Sequence, residues 1–317
     1  MRKLLSVLCA LVLALTLSVF AAAEETPVRV VALKGPTAMG MVQMMDSGAY
    51  EFTIEAAVDA VTPLVAQGKV DIAAVPANLA SVLYNKLEGG VQVLAINTLG
   101  VLYIVENGTE ITGVADLKGR TIYASGKGAT PEYALNYILT GFGIDPAQDV
   151  TIEWKSEHAE CLNALLSDEH GVALLPQPFV TTALSKAEGL RVAIDLNDPW
   201  NELQAGEENP SALLTGVVIV RRAFAEENPG AVAAFLDDYK ASVEYVNGNV
   251  EAAAALVGSY DIVPEAVALK ALPACNIVMI EGEEMQGKLS GYLGVLFGQN
   301  PAAVGGALPA EDFYYIR

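Results

Sequence analysis

Two stretches of this chain repeat one device. Gly68–Leu83 (GKVDIAAVPANLASVL) and Asp168–Leu184 (DEHGVALLPQPFVTTAL) each pass from a helix end into a short buried strand, a proline-bearing loop and a new helix. A strand that is apolar on both faces and feeds a helix belongs in a sheet covered by helices on both sides. The match is one of pattern, since Asp71 faces Gly171, and α/β folds reuse this unit widely. Two half-chains with the same order of loops nevertheless predict two similar lobes.

A third copy of the device is Arg120–Leu139 (RTIYASGKGATPEYALNYIL). Arg120–Ala124 reads as a strand, and Ser125-Gly126-Lys127-Gly128-Ala129 as a turn that ends it. Thr130 suits an N-cap, Pro131 the first helical position and Glu132 the first turn. Tyr133, Ala134, Tyr137 and Ile138 continue at helical spacing. Such a loop presents unpaired backbone N–H groups to an anion or polar acceptor. Lys34-Gly35-Pro36-Thr37 plays the corresponding part after the first strand.

The first residues are separate from the fold. Arg2 and Lys3, the apolar run Leu4–Phe20 and the small residues Ala21-Ala22-Ala23 form a secretory signal peptide cleaved near Ala23. Cys9 lies inside the apolar run after a bulky Leu8, which is not a lipoprotein cleavage box. No second run is long enough to span a bilayer, so an extracytoplasmic protein, periplasmic or secreted, is expected. Residues 24–317 suffice for two domains. The net charge of −20 grows more negative without the leader, which argues against nucleic acid or an anionic membrane as partner. Cys161 and Cys275 fall in different predicted lobes and read as two buried small hydrophobes.

In chain order, strands are predicted over 28–33, 50–57, 70–75 and 91–105, the last interrupted at Asn97-Thr98 and Gly100. Helical character falls on 38–45, around Val61–Val65, and on 79–84. The second series has strands at 120–124, 150–154, 172–175 and 190–196, with helices from Ala159 and Phe179. Asp198–Pro210 reads as a polar surface loop. After a strand at 213–220 the chain turns helical at 229–245, 250–258, 264–272 and 283–297, then ends in an aromatic tail, DFYYIR. Alternation of strands and helices predicts an α/β fold with mostly parallel sheets.

Enzyme signatures are missing: no GxSxG, HExxH or P-loop is present, and no Cys or His pair has metal-ligand spacing. His158 and His170 stand in polar stretches and read as solvated. Paired acids such as Glu226-Glu227, Asp237-Asp238 and Glu283-Glu284 read as solvation and dipole matching. A ligand cleft remains. Open α/β sheets bind ligands beyond the carboxyl ends of their strands, and four loops leave such ends: 34–37, 76–78, 125–130 and 176–179. The candidate ligand-binding residues are Lys34, Gly35, Thr37, Pro76, Asn78, Thr98, Ser125, Gly126, Gly128, Ala129, Thr130, Gln177 and Phe179, with Tyr123 as a further apolar wall. Lys34 and Lys127 are as readily solvated loop lysines. No catalytic residue, cofactor or metal is expected.

The segments VALKGPTAMGM, GKVDIAAVPANLASVLYNK, LGVLYIV, ADLKGRTIYASGKGATPEYAL, LLPQPFVTTAL and RRAFAEENPGAVAAFLDDYKASVEYV occur in an order that resembles the substrate-binding proteins of ABC importers. The resemblance is to the nitrate/sulfonate/taurine group, which includes thiamine-pyrimidine-precursor binders. It implies the type 2 periplasmic-binding-protein fold, two α/β lobes joined by two hinge crossings near Thr98–Tyr103 and Thr215–Val218. Lobe one would hold residues 24–99 and 217–317, and lobe two residues 100–216. It also implies a small-molecule solute (a sulfonate, a nitrate-like anion or a heteroaromatic compound), an ABC permease as partner, and a monomer. Many relatives carry Glu between the prolines of the fourth loop, where this chain has Gln177. Two rival readings are a ligand-sensing subunit docking on a membrane receptor, and a pyrimidine-precursor synthase-like enzyme. The latter's cysteine-rich motif is missing here.

Overall fold

The computed structural model describes residues 27–207 and 210–317. The signal-peptide reading and Cys9 lie outside the described residues. Eleven strands in those residues form two sheets.

Sheet one contains β1 (Arg29–Leu33), β2 (Glu51–Glu55), β3 (Ile72–Pro76), β4 (Val91–Leu99), β10 (Leu214–Arg221) and β11 (Ile277–Ile280), in the order β11-β4-β10-β3-β1-β2. Sheet two contains β5 (Leu102–Asn107), β6 (Thr121–Ser125), β7 (Thr151–Lys155), β8 (Val172–Pro176) and β9 (Leu190–Asp195), in the order β7-β6-β8-β5-β9. Helices in the first series are α1 (Pro36–Met39), α2 (Val42–Ser47), α3 (Val58–Ala66) and α4 (Ala77–Lys86). The second series adds α5 (Thr130–Gly141), α6 (His158–Ser167), α7 (Phe179–Lys186) and α8 (Asn197–Gln204). The C-terminal part holds α9 (Arg222–Glu227), α10 (Pro229–Gly248), α11 (Val250–Ser259), α12 (Glu265–Ala271) and α13 (Gly282–Gln299).

The two sheets share one plan. Strands β2-β1-β3 are mutually parallel, and so are β7-β6-β8. The strand beside β3, β10, and the strand beside β8, β5, both run antiparallel. The sheets are therefore mixed, not mostly parallel as the alternation suggested. Each sheet takes in a strand that has just crossed from the other side, and it arrives pointing the opposite way. The central β3 and β8 are buried along nearly their whole length, as two-faced helix cover requires.

Three further expectations are corrected. Strand β4 runs unbroken through Asn97-Thr98: Thr98 pairs with Gly216 of β10 and Ile277 of β11, and Asn97 falls at the register shift beside it; the break falls at Gly100-Val101. Most of the expected loop at 198–210 is helix α8, which buries Trp200 and ties Trp200 Nε1 to Ser211 Oγ at 3.2 Å. Strand β11, too short to give a period, was not expected at all.

The last residues close lobe one. Phe313 and Tyr314 are buried, Tyr314 bridges to Val93 of β4, and Arg317 pairs with Asp237 and Glu281. Helix α13 packs against β4, α4 and α5, and Met285, Leu289, Tyr292 and Leu296 share one apolar cluster with Ile122, Tyr133 and Trp200. At the first crossing, the Gly100 carbonyl accepts hydrogen bonds from Asn197 Nδ2 (2.9 Å) and Asn276 Nδ2 (2.6 Å), one from each side of the molecule. A Cβ at Gly100 would overlap Asn197 Oδ1 and Leu213. Cys161 and Cys275 are free and buried.

Candidate functional site

The carboxyl ends of the two parallel strand blocks face a cleft of about 320 Å³. Lobe one supplies Val58, Pro76, Asn78 and Leu79 to its lining. Lobe two supplies Ala129, Thr130, Pro131, His158 and Pro176, while Val101, Leu102 and Thr215 line it from the crossings. Most of this surface is apolar, and no lining residue carries a carboxylate or an ammonium group.

Four helices bring their first turns here: α3 through Val58, α4 through Asn78, α5 through Thr130 and α6 through His158. The first N–H groups of a helix have no partner inside it. None of these four N-caps is satisfied by a side-chain hydrogen bond. The cleft thus receives the N-terminal ends of four helices of two turns or more, three of which carry a carboxylate in the first turn, Asp59 in α3, Glu132 in α5 and Glu160 in α6.

Three side chains add directed polar groups. His158 is drawn out of water by burial, which pushes its pKa below the usual imidazole range and favours the neutral ring. Its Nδ1 lies 2.6 Å from Ser125 Oγ, and its ring stands 5.0 Å from that of Phe179. Nε2 is left for the cleft. Asn78 donates Nδ2 to the Ala303 carbonyl at 3.2 Å, so its free Oδ1 is an acceptor. Thr130 is N1 of α5, one position past the cap expected for it, because Ala129 occupies the N-cap. Its Oγ1 lies 2.9 Å from Tyr292 Oη.

The other expected residues are distributed as follows. Pro76, Asn78, Ala129 and Thr130 line the cleft. Ser125 and Phe179 lie behind it and hold His158. Gly126 and Gly128 shape the turn with φ of 83° and 78°, and the Gly128 N–H donates to Glu132 Oε2. Gln177 is buried and its Oε1 accepts from Thr181 N and Oγ1, in α7. Thr37 is buried with Oγ1 donating to the Leu33 carbonyl, and Thr98 is buried with no partner for Oγ1. Lys34 reaches outward to Asp261 at 2.7 Å, and Gly35 caps the four-residue α1. The loop at 34–37 is not part of the lining, and neither is Tyr123, whose hydroxyl donates to Asp168.

His158, which reads as solvated in the sequence, lines the cleft; Val58, Leu79, Val101, Leu102, Pro131 and Thr215 are not among the sequence candidates, and Pro176 is there only as the first residue of the loop at 176–179. A signal existed for the first two strand ends. The turns after β2 and β7 are also carboxyl ends of parallel strands, and they place Val58 and His158 at matched positions.

The family of periplasmic substrate-binding proteins of phosphonate ABC transporters matches residues 23–247. The chain belongs to this family. It is accordingly the solute-binding component of an ABC import system. Solved structures share its fold. An ABC transporter protein of Parabacteroides distasonis is 23% identical with a TM-score of 0.77, over 92% of this chain and 99% of the other. The periplasmic aliphatic sulphonate-binding protein SsuA of Escherichia coli is 17% identical with a TM-score of 0.72, over 91% and 92%. The alkanesulfonate-binding protein SsuA of Xanthomonas axonopodis pv. citri, bound to MOPS, is 15% identical with a TM-score of 0.62, over 91% and 96%. No curated protein matches the chain. Among the described residues no helix is long and apolar enough to cross a membrane.

Proposed function

We propose that the cleft captures a small organic oxyanion, a phosphonate or sulfonate on a short apolar chain, and that the closed protein delivers it to an ABC permease. The observation that carries this reading is the convergence of four helix N-termini on a cleft whose lining holds no carboxylate. Backbone dipoles can hold an anion without a countercharge. Thr130 adds a hydroxyl and His158 a ring nitrogen that donates when Ser125 Oγ–H donates to Nδ1, and Val58, Leu79, Val101 and Leu102 suit an apolar chain. The neighbours' names, sulphonate binder and alkanesulfonate binder, support the same solute class.

The reading is of a carrier and not a catalyst. The Ser125–His158 pair resembles part of a nucleophilic dyad, but among the described residues no carboxylate is hydrogen-bonded to His158, whose pKa is lowered by burial. A monomer, exported and cleaved near Ala23, would open and close about the crossings near Thr98–Tyr103 and Thr215–Val218. Residues 24–99 and 217–317 would move against 100–216, and the solute would bias that equilibrium.

A thermal-shift series on the chain from residue 24 tests this. Ethylphosphonate, ethanesulfonate and MOPS are compared with ethanolamine and ethanol. A hundredfold excess over Kd stabilises by about 2.7 kcal/mol. Stabilisation by the oxyanions alone is expected; a shift with ethanolamine and none with any oxyanion would overturn the reading.

A further inference from the structure

Tyr292 lies in the middle of α13 with no exposed surface. Its ring packs on Trp200 with centroids 5.8 Å apart. Its hydroxyl meets one side chain, Thr130, at 2.9 Å, and no second partner for it is found among the described residues. Burial raises the phenol's pKa, so it keeps its proton at neutral pH.

Either hydroxyl could donate by distance alone, and the supply of other partners separates the two. Each hydroxyl has one proton to give. A buried phenol that donates to nothing carries the full desolvation cost of that group. Thr130 faces the cleft and can find another acceptor there; Tyr292 cannot. The low-cost arrangement has Tyr292 donating and Thr130 Oγ1 accepting. The Thr130 proton is then turned to the cleft.

We infer that Tyr292 is a positioning residue that makes Thr130 an obligate donor to the bound solute. Lobe two's jaw thereby selects acceptor oxygens and disfavours solutes that offer a hydroxyl or ammonium proton at the same point. Donation from the phenol also polarises the Thr130 O–H, as chained hydrogen bonds do. The inference rests on the oxyanion reading above. It goes beyond that reading in giving a role to a side chain that never touches the solute. Helix α13 does not depend on this bond for its register, since Gln299 Nε2 donates to the Tyr133 carbonyl at 3.0 Å and Asn300 Nδ2 to the Tyr133 hydroxyl at 3.1 Å. Tyr292→Phe therefore removes one oxygen from an otherwise held helix.

The test is titration calorimetry with ethylphosphonate and ethanesulfonate on the chain from residue 24. The variants are Tyr292→Phe, Thr130→Val, the double variant and Thr130→Ser. Tyr292→Phe and Thr130→Val should each weaken binding about five- to tenfold. The double variant should bind no worse than Thr130→Val, because the phenol acts only through the hydroxyl. Thr130→Ser should keep both affinity and its sensitivity to Tyr292→Phe. Wild-type affinity in Tyr292→Phe, or losses that multiply in the double variant, would overturn the inference while leaving the oxyanion reading in place. A wild-type chain that binds neither probe overturns the oxyanion reading and this inference with it.

Discussion

Lobe one offers Val58 where lobe two offers His158. Both residues open the helix after an edge strand of the parallel block, and both line the cleft. The same contrast recurs elsewhere. Lobe two's first loop enters the cleft through Ala129 and Thr130, while lobe one's, at 34–37, stays out of its lining: Lys34 reaches outward to Asp261 and Thr37 is buried on the Leu33 carbonyl. At the start of the central strand lobe one has Asp71, buried between Arg29 and Arg221, and lobe two has Gly171. One fold plan thus carries two assignments. Lobe two brings the directed donors, and lobe one brings an apolar wall with a single acceptor, Asn78.

The largest effect expected from disturbing this contrast is on stability. Burial works against the charge of Asp71, but hydrogen bonds from Arg29 and Arg221 outweigh it and hold the carboxyl below the usual range. Asp71→Asn leaves two arginines short of a partner; because both are partly exposed, a loss of about 2–3 kcal/mol is expected in urea melts. The sign of the pH effect follows from the depressed pKa. The stabilisation is complete above the unfolded value of about 4 and is lost as pH falls through the lower folded value. An Asp71→Asn protein whose acid-unfolding curve matches the wild type would remove the ionic pin from the account.

Gly126→Ala should cost about 2 kcal/mol. Its φ of 83° is unfavourable for any Cβ, and the added atom would lie 2.8 Å from Pro131 Cγ. Unchanged thermal stability would show that the turn before α5 can reshape.

His158→Val makes lobe two resemble lobe one at the matched position. Ethylphosphonate should bind about tenfold more weakly, on the order of 1.4 kcal/mol. Because burial depresses the His158 pKa, its neutral ring contributes stability above an unfolded pKa of about 6.5, lost as pH falls through the folded value. The variant should lose that slope in melts between neutral and mildly acid pH. Full affinity in the variant would end the idea that lobe two is the polar jaw.

The smallest effect belongs to Lys34→Ala. Its partner Asp261 is almost wholly exposed, and such pairs contribute little. Calorimetry should show unchanged ethylphosphonate affinity, and a large loss would return the first loop to the cleft.

The two-lobe plan was legible because repeated strand–loop–helix units leave a strong local pattern. The residues that depend on long-range placement were not. His158 sits in a polar stretch, SEHAEC, and nothing local says that Ser125 and Phe179 will enclose it. Lys34 and Lys127 looked equivalent until the turn between α11 and α12 put Asp261 beside Lys34. Trp200 was hidden in a run rich in Asn, Asp and Pro, and its burial depends on Tyr137 and Tyr292 from distant helices. Thr130 was recognised from its own loop, but the direction of its hydroxyl depends on a residue far along the chain.

The sheet order also sets a timetable. Strands β5 to β9 come from one uninterrupted run, so lobe two has every sheet partner in hand once residue 195 has emerged. Lobe one begins first and finishes last: β4 waits for β10 and β11, and Val93 waits for Tyr314. A chain that appears N-terminal end first can therefore complete the sheet behind its polar jaw before the sheet behind its apolar jaw.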